Sequence, residues 1–361
     1  MIHKIILAAL STLLLFTGCA SSAASPSPAP DLGAGNAVSI GEGSASDPAP
    51  EKELFNLRIV TQTAFNELNV ADALGFFRDE GIQVEYTGVL AKGVTEYQLI
   101  EQGAIDAFTT GHPPNVAQAR MAGIKVKCVS PGMIDDPAFP HIRYLVKPDS
   151  PIQSLEEAVG KKVTISGISG CTSGYVQYYL KSKGLDPESV EFVVITDSDA
   201  ILSLGEGLTD LAVSHPPFAG KAVASGAARE ILTSWDIFHS PGAGLSVRGF
   251  SEDFIEQHPD VVQGFVNALY RAHLWINANL DEAKQIVAYF FDLEPTDLSS
   301  FLYDESKEVT EDYVRQWFDI CEEIGLWEQD AIAPAEIIDN SFTPKEPPAS
   351  DADLHWDGPA A

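Results

Sequence analysis

Basic residues are scarce in this chain: 22 Lys and Arg stand against 52 Asp and Glu, for a formal net charge of −30. Such a surface repels phosphate backbones and anionic lipid headgroups, which excludes nucleic acid as a partner. Cysteine is sparse as well. Beyond Cys19 there are only Cys128, Cys171 and Cys321. Three thiols cannot all pair, and they lack the short regular spacing of a zinc site, so neither a metal nor a cofactor is expected. Past the first twenty residues no run is long and apolar enough to span a bilayer. No Gly-x-Ser-x-Gly nucleophile elbow is present either.

What is there points outward from the cell. Lys4 gives a positive start, Ile5 to Phe16 is apolar apart from Ser11 and Thr12, and Phe16-Thr17-Gly18-Cys19 closes the run. A run this short is the core of an export signal rather than a spanning helix. The Thr-Gly-Cys ending resembles a bacterial lipobox, which implies removal of residues 1–18 and diacylation of Cys19. Residues 19–53 are rich in Ala, Ser, Pro and Gly. They cannot bury enough apolar surface to fold and read as a leash reaching ~30 Å. The exported body would then be held at the cell membrane, facing the periplasm or the exterior, by lipid alone. Residues 344–361, with Pro344, Pro347 and Pro348, read as a loose tail.

The body between suits two lobes, because 361 residues at 45% apolar content exceed one small core. Leu57–Val60 reads as a strand, Asn69–Glu80 as a helix stopped by Gly81, and Ile82–Tyr86 as a second strand. The unit recurs as strand Lys162–Ile165, helix Ser173–Lys183 and strand Val190–Val194. A second block repeats more literally. Gly103-Ala104-Ile105-Asp106 matches Gly207-Leu208-Thr209-Asp210, and each leads through an apolar strand into His-Pro-Pro, at His112 and again at His215. Strand–helix–strand order favours parallel-rich sheets. The later sequence is helical, at Ser251–Glu256, Pro259–Asn277, Asp281–Phe291 and Thr310–Ile324, and is expected to pack back on the first lobe. The chain then crosses between lobes near Tyr144–Pro151 and Asp236–Val247.

Ligands of parallel α/β sheets sit beyond the carboxyl ends of strands. That rule selects Thr61, Gln62, Phe65 and Asn66 in one loop and Thr110, Gly111 and His112 in a second. A third holds Ser166, Gly170, Cys171, Thr172 and Ser173, and a fourth Ser214 and His215. The third loop opens a helix, whose N–H groups favour an anion or a carbonyl oxygen. A residue before Pro is held extended, so both imidazoles leave their strands in a restricted direction. None of the four loops carries Lys or Arg, which argues against a highly charged ligand.

The strand Leu57–Thr61, the stretch from Asn69 through Gly75-Phe76-Phe77-Arg78-Asp79-Glu80-Gly81, and Gly103–Ala107 resemble the nitrate/sulfonate/taurine and pyrimidine-precursor solute-binding proteins of ABC importers. Leu155–Val163 followed by Gly184-Leu185-Asp186-Pro187 resembles their second lobe. The likeness spans about residues 54–343. It implies an α/β, two-lobed periplasmic-binding-protein-like fold of type II, with helices on both sheet faces. Residues 54–146 and 246–343 would form the first lobe and 147–245 the second. It also implies a monomer that closes on a small-molecule ligand and docks on an ABC permease with its ATPase. The His-Pro-Pro steps depart from the family pattern. So does Gly170-Cys171-Thr172, where fungal pyrimidine-precursor enzymes have a cysteine-rich loop. A small organosulfonate or similar monoanion ranks first as ligand, and a pyrimidine-like heterocycle second. Two other functions use the same residues. One is an enzyme with Cys171 as nucleophile and His112 or His215 as base. The other is a surface sensor that reports occupancy to a membrane receptor.

Overall fold

The computed structural model describes residues 53–358 apart from 63, 64, 92, 168, 169 and 299. The expected export signal, Cys19 and nearly all of the leash lie outside the described residues. Twelve strands are present among the described residues: β1 Phe55–Ile59, β2 Ile82–Tyr86, β3 Ala107–Phe108, β4 Val126–Pro131, β5 Met133–Ile134 and β6 Arg143–Val146, then β7 Lys162–Ile165, β8 Glu191–Val194, β9 Leu211–Ser214, β10 Arg229–Thr233, β11 Val247–Ser251 and β12 Leu302–Tyr303. No helix among the described residues is long and apolar enough to cross a membrane.

β1 and β2 pair in parallel, from Phe55 opposite Ile82 to Ile59 opposite Tyr86. Their period-two pattern buries Leu57, Ile59, Ile82 and Val84 in a core shared with Leu68, Phe77, Phe265 and Leu269. The sequence between them predicts one helix, but two form, Glu67–Ala73 and Phe76–Asp79. Gly75 separates them at φ +78°, a left-handed conformation that stops the first helix and that glycine adopts without steric cost. Asn66 opens the first of these helices, its side-chain oxygen accepting from Leu68 N at 2.7 Å.

The second lobe is built on a five-stranded sheet in the order β10-β6-β9-β7-β8. β7 runs parallel to β8 and β9, while β6 runs antiparallel to β9 and β10. β11 runs antiparallel to β3 and β4 in the other lobe. β6 and β11 are the strands that enter each sheet after a crossing. The first crossing comes earlier than the sequence suggests. β6 already pairs with β9 and β10, so the chain has crossed before Arg143 rather than at Tyr144–Pro151. Tyr144, Leu145 and Val146 are fully buried, and a sheet interior is what covers three consecutive apolar residues.

The helix Pro259–Ala278 packs where expected, against Leu57 and Phe77. The helix Glu311–Glu323 does not stay on the first lobe. It touches both the helix Pro113–Met121 and the helix Cys171–Ser182, and Val314, Trp317 and Phe318 join a core that includes Tyr175 and Leu211. The tail also differs from expectation. Asp351 accepts from buried Arg271 at 2.7 and 3.0 Å, Leu354 O accepts from Trp275 Nε1 at 3.1 Å, and Trp356 packs on Tyr289. A buried guanidinium needs a carboxylate, and this segment supplies it.

Candidate functional site

Strand ends from both lobes meet around a cavity of ≈ 480 Å³. From the first lobe come Gln62, Phe65 and Asn66 after β1, Thr109–Gly111 after β3, and Met133, Ser246, Arg248, Phe301 and Tyr303 from β5, β11 and β12. From the second come Ser166 after β7, Thr196–Ser198 after β8, and His215, Pro216 and Phe218 after β9. A wider space of ≈ 920 Å³ adjoins it, sharing Gln62, Ser198 and Phe218 and lined mainly by apolar groups such as Ile201, Phe290 and Leu298, with Thr61, Asn69, Tyr86, Lys221 and Ser225 among them.

The polar wall is held rigidly. Glu96 is buried, and its two oxygens accept from the backbone N–H and the hydroxyl of both Thr109 and Thr110, at 2.6–3.0 Å. Burial raises its carboxyl from the ordinary value, and the four donors work against that rise. Gln62 donates to Thr109 Oγ1 at 2.7 Å and accepts from Asn66 at 2.8 Å. Gly111 completes the turn at φ +109°, and a Cβ there would press on Asn115 Oδ1 and Tyr97 Oη at 3.2 Å.

The cations at the wall arrive already partnered. Arg248 is the one Lys or Arg among the residues lining the inner cavity. Its Nη2 donates to Glu67 Oε2 at 3.1 Å, its Nη1 to Val247 O at 3.1 Å, and its Nε lies 2.7 Å from Glu67 Oε1 as an ion pair off the hydrogen-bond axis. Burial pushes the Glu67 carboxyl up, but Arg248 and His273 outweigh it and bring it down to about 2. His215 is paired likewise: its Nδ1 donates to Asp197 Oδ2 at 3.1 Å and its backbone N–H to Asp197 Oδ1 at 3.0 Å.

Behind His215 the two His-Pro-Pro steps converge on one sulfur. His112 is extended at φ −115°, ψ 165°, as its following proline requires. Its Nε2 lies 3.7 Å from Cys171 Sγ, and His215 Nε2 lies 3.2 Å from the same atom. Burial resists ionisation of the thiol, but the imidazoles of His215, His112 and His141 win and hold it well below its ordinary value. Burial likewise opposes charge on His215, yet Asp197 and Cys171 raise it well above the usual histidine range. Sequence alone does not bring Cys171 to either histidine, and it does not single out His141 at all.

Of the residues expected to touch ligand, Gln62, Phe65, Asn66, Thr110, Gly111, Ser166 and His215 line the inner cavity, and Thr61 lines the outer space. His112, Gly170, Cys171, Thr172, Ser173 and Ser214 line neither of these spaces. The third loop therefore reaches the cavity, among its described residues, only through Ser166, and the start of its helix is packed inside. Tyr175 is core: its hydroxyl donates to Ala243 O at 2.5 Å and its ring packs on Trp317 and Phe238. Sequence reasoning missed Arg248, Ser246, Phe301 and Tyr303. They follow no parallel-strand end and come from β11 and β12, whose places in the fold depend on the returning chain.

Two lobes, two crossings and a cavity at the meeting of strand ends define a solute-binding protein of the periplasmic-binding-protein-like class. The NMT1/THI5-like family model matches residues 62–283, more than half of the chain, and this protein belongs to that family. Riboflavin-binding protein RibY of Chloroflexus aurantiacus is 25% identical over 281 residues, covering 77% of this chain and 75% of that protein. A Bacillus subtilis protein assigned to aliphatic sulfonate binding is 26% identical over 249 residues, covering 67% of this chain and 72% of its own. Among solved structures, the periplasmic aliphatic sulphonate-binding protein SsuA of Escherichia coli shares the fold at a TM-score of 0.62 and 17% identity, covering 86% of this chain and 98% of that one.

Proposed function

We propose that this protein is the lipid-anchored, extracytoplasmic binding component of an ABC importer, and that it carries a neutral, planar heterocycle in the inner cavity. The observation that carries the ligand class is the pairing of both cationic groups at the wall, Arg248 with Glu67 and His215 with Asp197. A site whose cations are already compensated offers an anion little net attraction. Instead it offers aromatic side chains from Phe65, Phe218, Phe301 and Tyr303 and hydroxyl oxygens from Thr110, Ser166 and Ser246. Flat rings with edge acceptors and donors suit that combination. The riboflavin-binding relative, whose named ligand is a fused planar heterocycle, points the same way.

Binding without chemistry is favoured because the one thiol near the site, Cys171, lies behind His215 rather than at the cavity wall. Affinity would come from closure of the two lobes on the ligand, a shift in population toward the closed form. Cys19 would carry the lipid, and the closed monomer would dock on a permease with its ATPase. A monoanion such as an organosulfonate is the second reading. It is favoured by the sulfonate-binding relatives and by Arg248, only three of whose five donors are engaged in the contacts above.

Thermal unfolding against flavins, pyrimidines, alkanesulfonates, taurine and nitrate tests the proposal. A ligand at a hundred times its Kd adds ~2.7 kcal/mol of stability, a shift of about 4 °C for a protein of this size. Stabilisation by flavins or pyrimidines, lost in Phe301→Ala, supports the heterocycle. Stabilisation by sulfonates alone replaces it with the monoanion, and silence across the panel removes both.

A further inference from the structure

Three imidazoles and a thiol are gathered under the floor of the cavity. Ligand atoms of His112, His141 and Cys171 all lie within 4.8 Å of one another; His141 and Cys171 are buried and His112 is half-buried. His215 Nε2 faces the same sulfur from the cavity side. The segments are unrelated in sequence. His112 ends the turn after β3, His141 lies between β5 and β6, Cys171 begins the helix after β7, and His215 follows β9.

Two of the imidazoles are oriented in the way metal ligands are. His112 Nδ1 donates to Leu245 O at 2.7 Å, which fixes the tautomer and leaves the Nε2 lone pair turned to Cys171. Asp197 holds His215 through Nδ1, so that loss of the Nε2 proton on metal binding would free that lone pair toward Cys171. A second hydrogen bond that orients a ligating imidazole is characteristic of metal sites. His141 is the sharpest sign. It is fully buried, its ring lies 4.8 Å from that of His112 and 5.0 Å from that of His215, and neither of its nitrogens has a hydrogen-bond partner. A buried imidazole with both nitrogens unsatisfied costs stability unless something else occupies a lone pair. The spacing also fits. Zinc bonds of ~2.3 Å to sulfur and ~2.0–2.1 Å to nitrogen, at tetrahedral angles, put sulfur and nitrogen roughly 3.6 Å apart. The Cys171–His112 separation is 3.7 Å.

We propose that Cys171, His112 and His141, with His215 able to complete the set, form a centre for a d¹⁰ metal ion, Zn²⁺ or Cu⁺, that ties the strand-end loops of the two lobes together. Thiolate and imidazole donors with no carboxylate in the first ring select these ions over Mg²⁺ or Ca²⁺. The site stands on the side-chain geometry alone and does not depend on which solute the cavity takes.

Full-length protein is loaded with a twofold excess of Zn²⁺, freed of unbound ion by gel filtration, and its metal content measured by mass spectrometry. One zinc per chain is expected. Cys171→Ser and His141→Gln should each weaken binding at least ~100-fold, since loss of an orienting partner alone costs about 10–100-fold. Cys128→Ser, which removes a buried thiol outside the cluster, should bind as the parent does. Competition for Cu⁺ with a copper(I) chelator tells which of the two ions is held more tightly. Should the variants unfold, Co²⁺ on the unaltered protein still decides: a thiolate-to-cobalt charge-transfer band identifies sulfur ligation. The proposal is overturned if the parent retains no stoichiometric metal, if Cys171→Ser binds equally well, or if the cobalt form lacks that band while Cys171 reacts with alkylating agents at the same rate with and without zinc.

Discussion

Glu67→Gln probes the pair that sets the electrostatics of the cavity. Glu67 is fully buried and holds Arg248 through two contacts, while His273 Nε2 approaches the same carboxylate at 3.9 Å. Removing one charge of a buried pair strands the other, at a cost of about 3–5 kcal/mol. The acid side gives an independent figure. The Glu67 carboxyl falls from 4.5 in the open chain to about 2 when folded. A depressed carboxylate contributes stability that is present above pH 4.5 and lost as the pH falls toward 2. That 2.5-unit difference amounts to roughly 3 kcal/mol at 1.36 kcal/mol per unit. The two figures agree in size. Urea unfolding at pH 7 and at steps down to pH 2.5 is the assay. The parent should lose stability through that window, and Glu67→Gln should start lower and lose less. The freed guanidinium should also change ligand preference. A sulfonate should bind ~10-fold or more tightly to the variant, because a charge-assisted hydrogen bond is worth about 1.5–3 kcal/mol, while a neutral heterocycle should bind unchanged. Equal stability and an unchanged acid profile in the variant would refute this account of the pair.

Glu96→Gln keeps acceptance on one oxygen but sets an amide donor against the N–H and hydroxyl of Thr110. It should cost roughly 2–3 kcal/mol in urea unfolding and weaken whichever ligand the cavity takes; calorimetric titration that finds full affinity would detach this loop from binding. Asn66→Ala removes the helix cap at Leu68 and the partner of Gln62, for about 1 kcal/mol and a lower melting temperature. Asp351→Ala leaves Arg271 buried with only half-exposed Asp79 to pair with. It should destabilise by about 2–3 kcal/mol without altering affinity, and a melting temperature equal to the parent's would show the tail to be energetically idle.

Much of the frame was legible in residue order. β2 spans the residues its alternation marks, and Ser251 caps its helix by accepting from Phe254 N at 3.1 Å. Both follow from local rules, the two-residue period of a strand and the orphan donors of a helix start. The repeated His-Pro-Pro was visible as a repeat, and the extended backbone before proline is a property of the dipeptide itself. Errors came where a local signal was outweighed. Gly75 broke a helix whose apolar spacing ran straight through it. The tail looked loose because its prolines and aspartates are ordinary marks of disorder, yet one of those aspartates satisfies a guanidinium 80 residues away.

Sequence by itself determined that this is an acidic, two-lobed α/β protein whose strand-end loops are poor in cations. Those properties are sums or local patterns, and a sum or a pattern does not need coordinates. Tertiary structure alone decided which strand ends face the cavity, because that depends on how the two lobes meet. It brought Arg248 to the wall and matched it with Glu67, 181 positions earlier. It also turned two repeated histidines and an isolated one toward a single cysteine. No spacing rule predicts that convergence, since the four side chains come from four separate segments and only the packing of the two lobes against each other fixes the distances among them.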